Sequence, residues 1–215
     1  MPYCEVPTSV VAHGDVEHFR PKASYWWLGY SFDNYLFSCQ VCNQLFKGDR
    51  FPVVGAPLLP PALPVPAPGE GEWPALVNGF ILDATVTTDA DCIARWNAEN
   101  ADLPHPYLED PEPLFRYEVD AASGEVWLRA ASGPRSLRAL RAAEEVLGIN
   151  RDELRKLRYV EFATIAVLKS VLDDPGLSAA SRVGVLNEFA RRQNSDFPFA
   201  GMHRFFARLW AIPGA

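Results

Sequence analysis

Apolar positions recur at different periods in different parts of the chain. Leu137, Leu140, Ala143, Val146 and Leu147 fall three and four residues apart, the spacing of one helix face, and Gly148 is the residue that stops such a helix. The same reading predicts helices over about 152–172, ended by Asp173-Asp174-Pro175-Gly176, over about 179–192 and over about 202–209. Two runs of β-type residues, 114–119 and 125–128, flank Asp120 to Gly124 and predict a hairpin. Asp15 to Lys22 has strand-like alternation, with Val16 and His18 on one face and Asp15 and Glu17 on the other. Between these regions, 55–74 holds seven prolines in twenty residues and is excluded from helix or central strand; it reads as an extended connector. Residues 77–86 read as extended, 90–100 as weakly helical and 103–113 as turn-rich. The pattern predicts an α+β fold in three stretches: a small N-terminal unit over 1–54, a proline-rich acidic connector over 55–113, and a hairpin plus helical region over 114–215. Fifty-four residues make too small a core alone, so the first stretch is expected to pack on the helices.

Composition narrows this picture. With 215 residues, 48% hydrophobic and 12% aromatic, the chain buries roughly 70% of its unfolded surface and is not disordered as a whole. The longest uncharged stretch, 51–69, is broken by prolines and cannot span a membrane, and the N-terminus shows no basic-then-apolar secretion pattern, so a cytoplasmic location is expected. The net charge of -7 is unevenly spread. Residues 1–54 hold four Lys and Arg against five acids, 55–134 three against thirteen, and 135–215 thirteen against nine. Because charge acts locally, the acidic total does not exclude nucleic acid.

Chemistry concentrates before residue 55. Glu17-His18 is followed by Asn34 and then by Cys39-Gln40-Val41-Cys42-Asn43, with Arg20, Lys22, Lys47 and Arg50 interspersed. Two cysteines spaced this way, in a chain without a secretion signal, point to metal or redox chemistry. An acid-His pair, a central Asn and a CxxC followed by Asn resemble the HNH endonucleases, the ββα-metal or His-Me-finger family, over about 4–52. The finer wording (Val16-Glu17-His18-Phe19-Arg20-Pro21-Lys22, Tyr25-Trp26-Trp27-Leu28-Gly29-Tyr30, and later Val146-Leu147-Gly148-Ile149-Asn150-Arg151 and Phe199-Ala200-Gly201-Met202) is similar to the branch associated with retron and Septu-type anti-phage systems.

The resemblance implies a ββα-metal finger and a metal-dependent DNA endonuclease serving antiviral defence, with an ATPase partner encoded alongside. This chain has no GxxxxGK[ST] phosphate loop of its own. Histidine is the side chain that exchanges protons most readily near neutral pH, so His18 is the expected general base, and Asn34 is expected to brace the loop that orients it. Glu17 and Asn43 are the expected oxygen ligands of Mg²⁺ or Mn²⁺, with Asp15 as a second ligand or hydrogen-bond partner. Arg20, Lys22 and Lys47 are candidate phosphate contacts.

Relatives in the family hold a structural Zn²⁺ with two CxxC pairs; here Cys4, Cys39 and Cys42 are three sulfurs, and Met1 stands where the first cysteine is expected. The site is completed by His13, Cys92 or water, or is lost, or the true start lies upstream. Tyr25, Trp26, Trp27, Tyr30, Phe32 and Tyr35 either stack bases or, the favoured reading, pack the finger on the helices. Arg135, Arg138 and Arg141 either track a phosphate backbone or, more simply, solvate a helix. His105 is expected in a loop. A second function class remains open: a catalytically degenerate, zinc-stabilised interaction subunit that binds a partner ATPase or nucleic acid.

Overall fold

A computed structural model describes residues 3–7, 14–78, 90, 94 and 97–213. The N-terminal unit is a short antiparallel pair, β1 (Asp15–His18) and β2 (Tyr35–Ser38), with Asp15 opposite Ser38 and His18 opposite Tyr35. The connecting loop folds into two single turns, Trp26–Leu28 and Phe32–Asn34, and is closed by the Phe19 N–H donating to the Asn34 carbonyl at 2.9 Å. A π-helix, Val41–Lys47, follows; the Gly48 N–H reaches back five residues to the Asn43 carbonyl at 2.7 Å, and Gly48 ends it at a φ of 49°. Such wide turns are uncommon and cluster at functional sites.

Among its described residues the connector holds no strand, in keeping with its prolines, but the end of the proline-rich stretch is helical: α1 (Trp73–Asn78) begins with Pro74 in the first turn, where a missing N–H costs nothing. Val77 and Asn78 therefore close a helix where an extended segment was expected; residues 79–86 of that expectation, and His13, Cys92 and Met1, lie outside the described residues. Residues 90, 94 and 97 are helical, in keeping with the weak helical pattern over 90–100.

The hairpin forms as β3 (Phe115–Asp120) and β4 (Glu125–Ala130), with Tyr117 opposite Leu128. Four helices follow: α2 (Pro134–Leu147), α3 (Asp152–Leu172), α4 (Ala179–Arg192) and α5 (Ala200–Leu209). Their ends obey local chemistry. Gly148 takes the left-handed conformation at a φ of 57°, so that the Ile149 N–H reaches the Ala143 carbonyl at 3.1 Å. The Ser178 hydroxyl accepts from the Ser181 N–H at 3.1 Å at the start of α4. At the start of α5, the Glu5 carboxylate accepts from the Gly201 N–H at 3.0 Å, tying the N-terminal segment to the last helix.

The core crosses all three sequence stretches. Cys4, Cys39 and Cys42 share one cluster with Val126, Leu128, Ile165, Met202 and Phe206, while Phe19 and Leu36 pack on Leu103, Ala142, Val146 and Leu147. The N-terminal unit is thus seated against α2 and the hairpin. Among the described residues, no helix is long and apolar enough to cross a membrane.

Candidate functional site

His18 stands at the end of β1, with its ring edge-on to that of Tyr35 at 5.1 Å. Its Nε2 lies 2.9 Å from the Gly29 carbonyl, which also accepts from the Tyr35 hydroxyl at 2.6 Å. A carbonyl only accepts, so Nε2 carries a hydrogen, and in the neutral ring it is Nδ1 that has the lone pair. Asn34 holds this loop in place and is fully buried. Its Oδ1 accepts from the Arg20 N–H at 2.8 Å, and its Nδ2 donates to the carbonyls of Arg20 at 3.0 Å and Leu28 at 3.2 Å. The side chain thereby fixes the residue next to Gly29, whose carbonyl orients the imidazole.

The other face of β1 looks toward the π-helix. The Asp15 carboxylate accepts from Asn43 Nδ2 at 3.2 Å and from Gln44 Nε2 at 2.8 Å. Two residues on, Glu17 is buried against Lys47, with Nζ 2.5 Å from Oε1; the same ammonium donates to the His18 carbonyl at 2.9 Å. Burial pushes the Glu17 carboxyl up and pulls the Lys47 ammonium down, and each partner's charge opposes the other's shift. The apolar-polar alternation of this strand is inverted in space: Val16 is exposed while the acid Glu17 is buried, because its partner is buried with it.

Beneath β2, Cys4, Cys39 and Cys42 bring their sulfurs within 4.8 Å of one another, all buried and none in a disulfide. The Cys4 and Cys39 sulfurs are 3.7 Å apart, the Cys42 N–H points at Cys39 Sγ at 3.4 Å, and Arg151 Nη1 lies 3.6 Å from Cys42 Sγ. Hydrogen bonds from Cys4 and Cys42 pull the Cys39 thiol well down, whereas the hydrogen bond to Cys39, reinforced by burial, holds each of the other two thiols up. Three soft sulfurs this close, with a cation and an amide beside them, fit a metal such as zinc.

Two of the three expected phosphate contacts are placed elsewhere. Arg20 is fully buried, its guanidinium 2.5 Å from Glu99, and Glu99 also accepts from the Tyr25 hydroxyl and the Leu58 N–H, each at 2.7 Å. Burial pulls Arg20 down to about 10 against the opposing pull of Glu99. Lys47 is likewise buried in its pair with Glu17. Both are corrections with one cause: a cation whose counter-ion is buried beside it is not available to solvent phosphate. Only Lys22 is exposed, in the depression that holds His18, Trp26 and Tyr30.

The chain is similar to the Septu protein PtuB of Bacillus mycoides. The two are 38% identical over 64 aligned residues, which cover 24% of this chain and 22% of that protein. No family model and no solved structure matches. The chain thus aligns with less than a quarter of PtuB's length.

The aromatic residues divide. Tyr25, Trp27 and Leu28 form a buried cluster with Phe51 and Leu58, so these rings pack on the connector rather than on the helices; Trp26, Tyr30 and Phe32 face solvent. Arg135 and Arg138 do more than solvate α2. They hold the acidic connector, Arg135 on Glu109 at 2.9 Å and Arg138 on Asp102 at 2.9 Å, while Arg141 pairs with Glu145 within the helix. Loop residue His105 is buried edge-on to Phe19 at 4.4 Å. Glu99 and Gly29 were not among the candidate site residues, and Tyr35 was one only as an aromatic that stacks or packs. Glu99 lies 79 positions from Arg20, a separation at which sequence carries no pairing signal.

Proposed function

We propose that this chain is a metal-dependent endonuclease acting on DNA within a Septu-type anti-phage defence system, alongside an ATPase partner. The observation that carries the reading is the supported imidazole of His18, whose tautomer is set by the Gly29 carbonyl on a loop that Asn34 braces. The similarity to PtuB supports the defence setting.

In this reading Nδ1 of His18 takes the proton from the attacking water. Asp15, Glu17 and Asn43 supply hard oxygens on the helix-facing side of β1, the donor chemistry of Mg²⁺ or Mn²⁺. When bound, such an ion would neutralise charge on the phosphate and the leaving oxygen. Asp15 and Asn43 already touch, whereas a cation at Glu17 competes with the Lys47 ammonium. Lys22 contributes a phosphate contact from the exposed side. The three sulfurs would hold a structural Zn²⁺ apart from the reacting groups.

That Glu17 is engaged by Lys47 also favours a second reading, a binding subunit without catalysis. Nicking of supercoiled plasmid by the purified chain, with Mg²⁺ or Mn²⁺ against EDTA and with and without the partner ATPase, separates the two. We expect metal-dependent nicking that His18→Ala lowers by at least about a hundredfold while far-UV circular dichroism is unchanged. Nicking that survives His18→Ala refutes the assignment of the base, and absence of nicking under every condition leaves the binding-subunit reading standing.

A further inference from the structure

The surface beside His18 carries three large rings. Trp26 is 51% exposed, Tyr30 88% and Phe32 88%, although their neighbours Tyr25 and Trp27 are buried. Trp26 and Tyr30 line the same depression as His18 and Lys22. Phe32 adjoins it through Tyr35, with ring centroids 6.0 Å apart, and Tyr35 in turn meets His18.

These rings sit on backbone that is held from within. The Trp26 turn is closed by the Gly29 N–H on the Trp26 carbonyl at 3.1 Å, and Trp26 lies edge-on to the buried Trp27 at 5.9 Å. The Ser31 N–H donates to the Leu28 carbonyl at 3.1 Å, and Asn34 anchors that same residue. Aromatic faces presented on a fixed frame lose little freedom when something flat stacks on them.

Charge narrows what that is. Among the described residues no carboxylate lines the depression, in a chain whose net charge is -7, and Lys22 supplies a cation. Apolar π-faces beside a cation and an imidazole suit a flat base carried on a polyanionic backbone. A duplex keeps its base faces stacked within the helix and is bound chiefly through many phosphates. Here Arg20 and Lys47, the neighbouring cations that could have multiplied such contacts, are buried in ion pairs.

We infer that Trp26, Tyr30 and Phe32 form a nucleobase platform, so that the site takes an unpaired, single-stranded stretch of nucleic acid in preference to a duplex. This rests on the nuclease reading of His18 and names the substrate class of the same site.

The test is fluorescence anisotropy of the full chain with labelled oligothymidylate, oligouridylate and a mixed-sequence duplex of equal length, in buffer without Mg²⁺ or Mn²⁺. Single strands are expected to bind more tightly than duplex, and Trp26→Ala and Tyr30→Ala each to weaken that binding by about fivefold to a hundredfold, with circular dichroism unchanged. Lys22→Ala is expected to lower the salt slope by about one. Tighter binding of the thymidylate or of the uridylate identifies the sugar, and either result upholds the platform. Equal binding by the aromatic variants, preference for duplex, or no binding of single strands overturns it, and the first of these is the result expected if the rings instead seat a partner protein. Ring-dependent binding without metal-dependent cleavage removes the nuclease reading and leaves the platform. Cleavage that Trp26→Ala and Tyr30→Ala do not affect does the reverse.

Discussion

His105 and His203 are both buried, and burial pulls each imidazole down to about 4. His105 is neutral by geometry as well: the Tyr107 N–H lies 3.2 Å from Nδ1, so Nε2 holds the hydrogen and donates to the Asp33 carbonyl at 3.3 Å. A group whose folded value lies below its unfolded value of about 6.5 contributes stability that is present above pH 6.5 and is lost as pH falls toward 4. Each neutral ring is worth on the order of 3 kcal/mol by this linkage. Half-buried Glu5 works in the opposite direction, since desolvation holds its carboxyl above the usual range, so variants are needed to isolate the histidines. We expect the urea midpoint to drop between pH 6.5 and 4 and His105→Gln to flatten part of that drop. A His105→Gln protein with the parent's full pH slope would remove His105 from this account.

At the scale of elements, the junction of α2 with the π-helix shows how one residue can serve two constraints. Gly148 ends α2 in the left-handed region, and a Cβ there would run into the Phe46 ring of the π-helix. Its neighbours lock the same joint: Asn150 exchanges hydrogen bonds with both backbone groups of Leu128 at 2.9 Å, and Arg151 reaches Cys42. Gly148→Ala should cost about 2 kcal/mol or more, since the left-handed conformation alone costs roughly 1–2 kcal/mol for a residue with a side chain. In thermal melts that is a fall of about 4–8 °C for a chain of this size. Gly184, within α4 with nothing near its Cβ position, is the control: Gly184→Ala is expected to be neutral or stabilising by up to about 1 kcal/mol. Equal melting shifts for the two variants would mean that α2 and the π-helix are not coupled through this residue. The helical and hairpin elements were legible because their periods and end signals are local, and Gly148 was read as a stop from sequence. That it also makes room for Phe46 was not legible, since the two are about a hundred residues apart.

Over the whole molecule, the uneven charge becomes a docking arrangement. The acidic middle lies on the basic tail through Glu109 with Arg135, Asp102 with Arg138, and Glu112 with both Arg204 and Arg208. The sulfur trio makes a second long-range tie, joining Cys4 to Cys39 and Cys42 inside the largest core cluster. A bound metal there stabilises the folded chain by mass action. Elemental analysis is expected to find about one zinc per chain, and stripping it with a strong chelator, or Cys42→Ser, to lower the melting temperature. Zinc-free protein with an unchanged melt would make the trio an ordinary buried cluster.

By itself the sequence determined the α+β class, the β3–β4 hairpin, the four C-terminal helices and the order of His18, Asn34, Cys39, Cys42 and Asn43 along the chain. Each of these follows from periodicity, turn chemistry or short spacings, which act within a few residues. Tertiary structure decided what the same residues can reach. It placed Asp15 on Asn43, closed Lys47 over Glu17 and buried Arg20 on Glu99. It also sorted adjacent aromatics into buried Tyr25 and Trp27 and exposed Trp26 and Tyr30. The reason is physical: a charge or a ring is available or not according to what packs against it, and those neighbours come from distant parts of the chain.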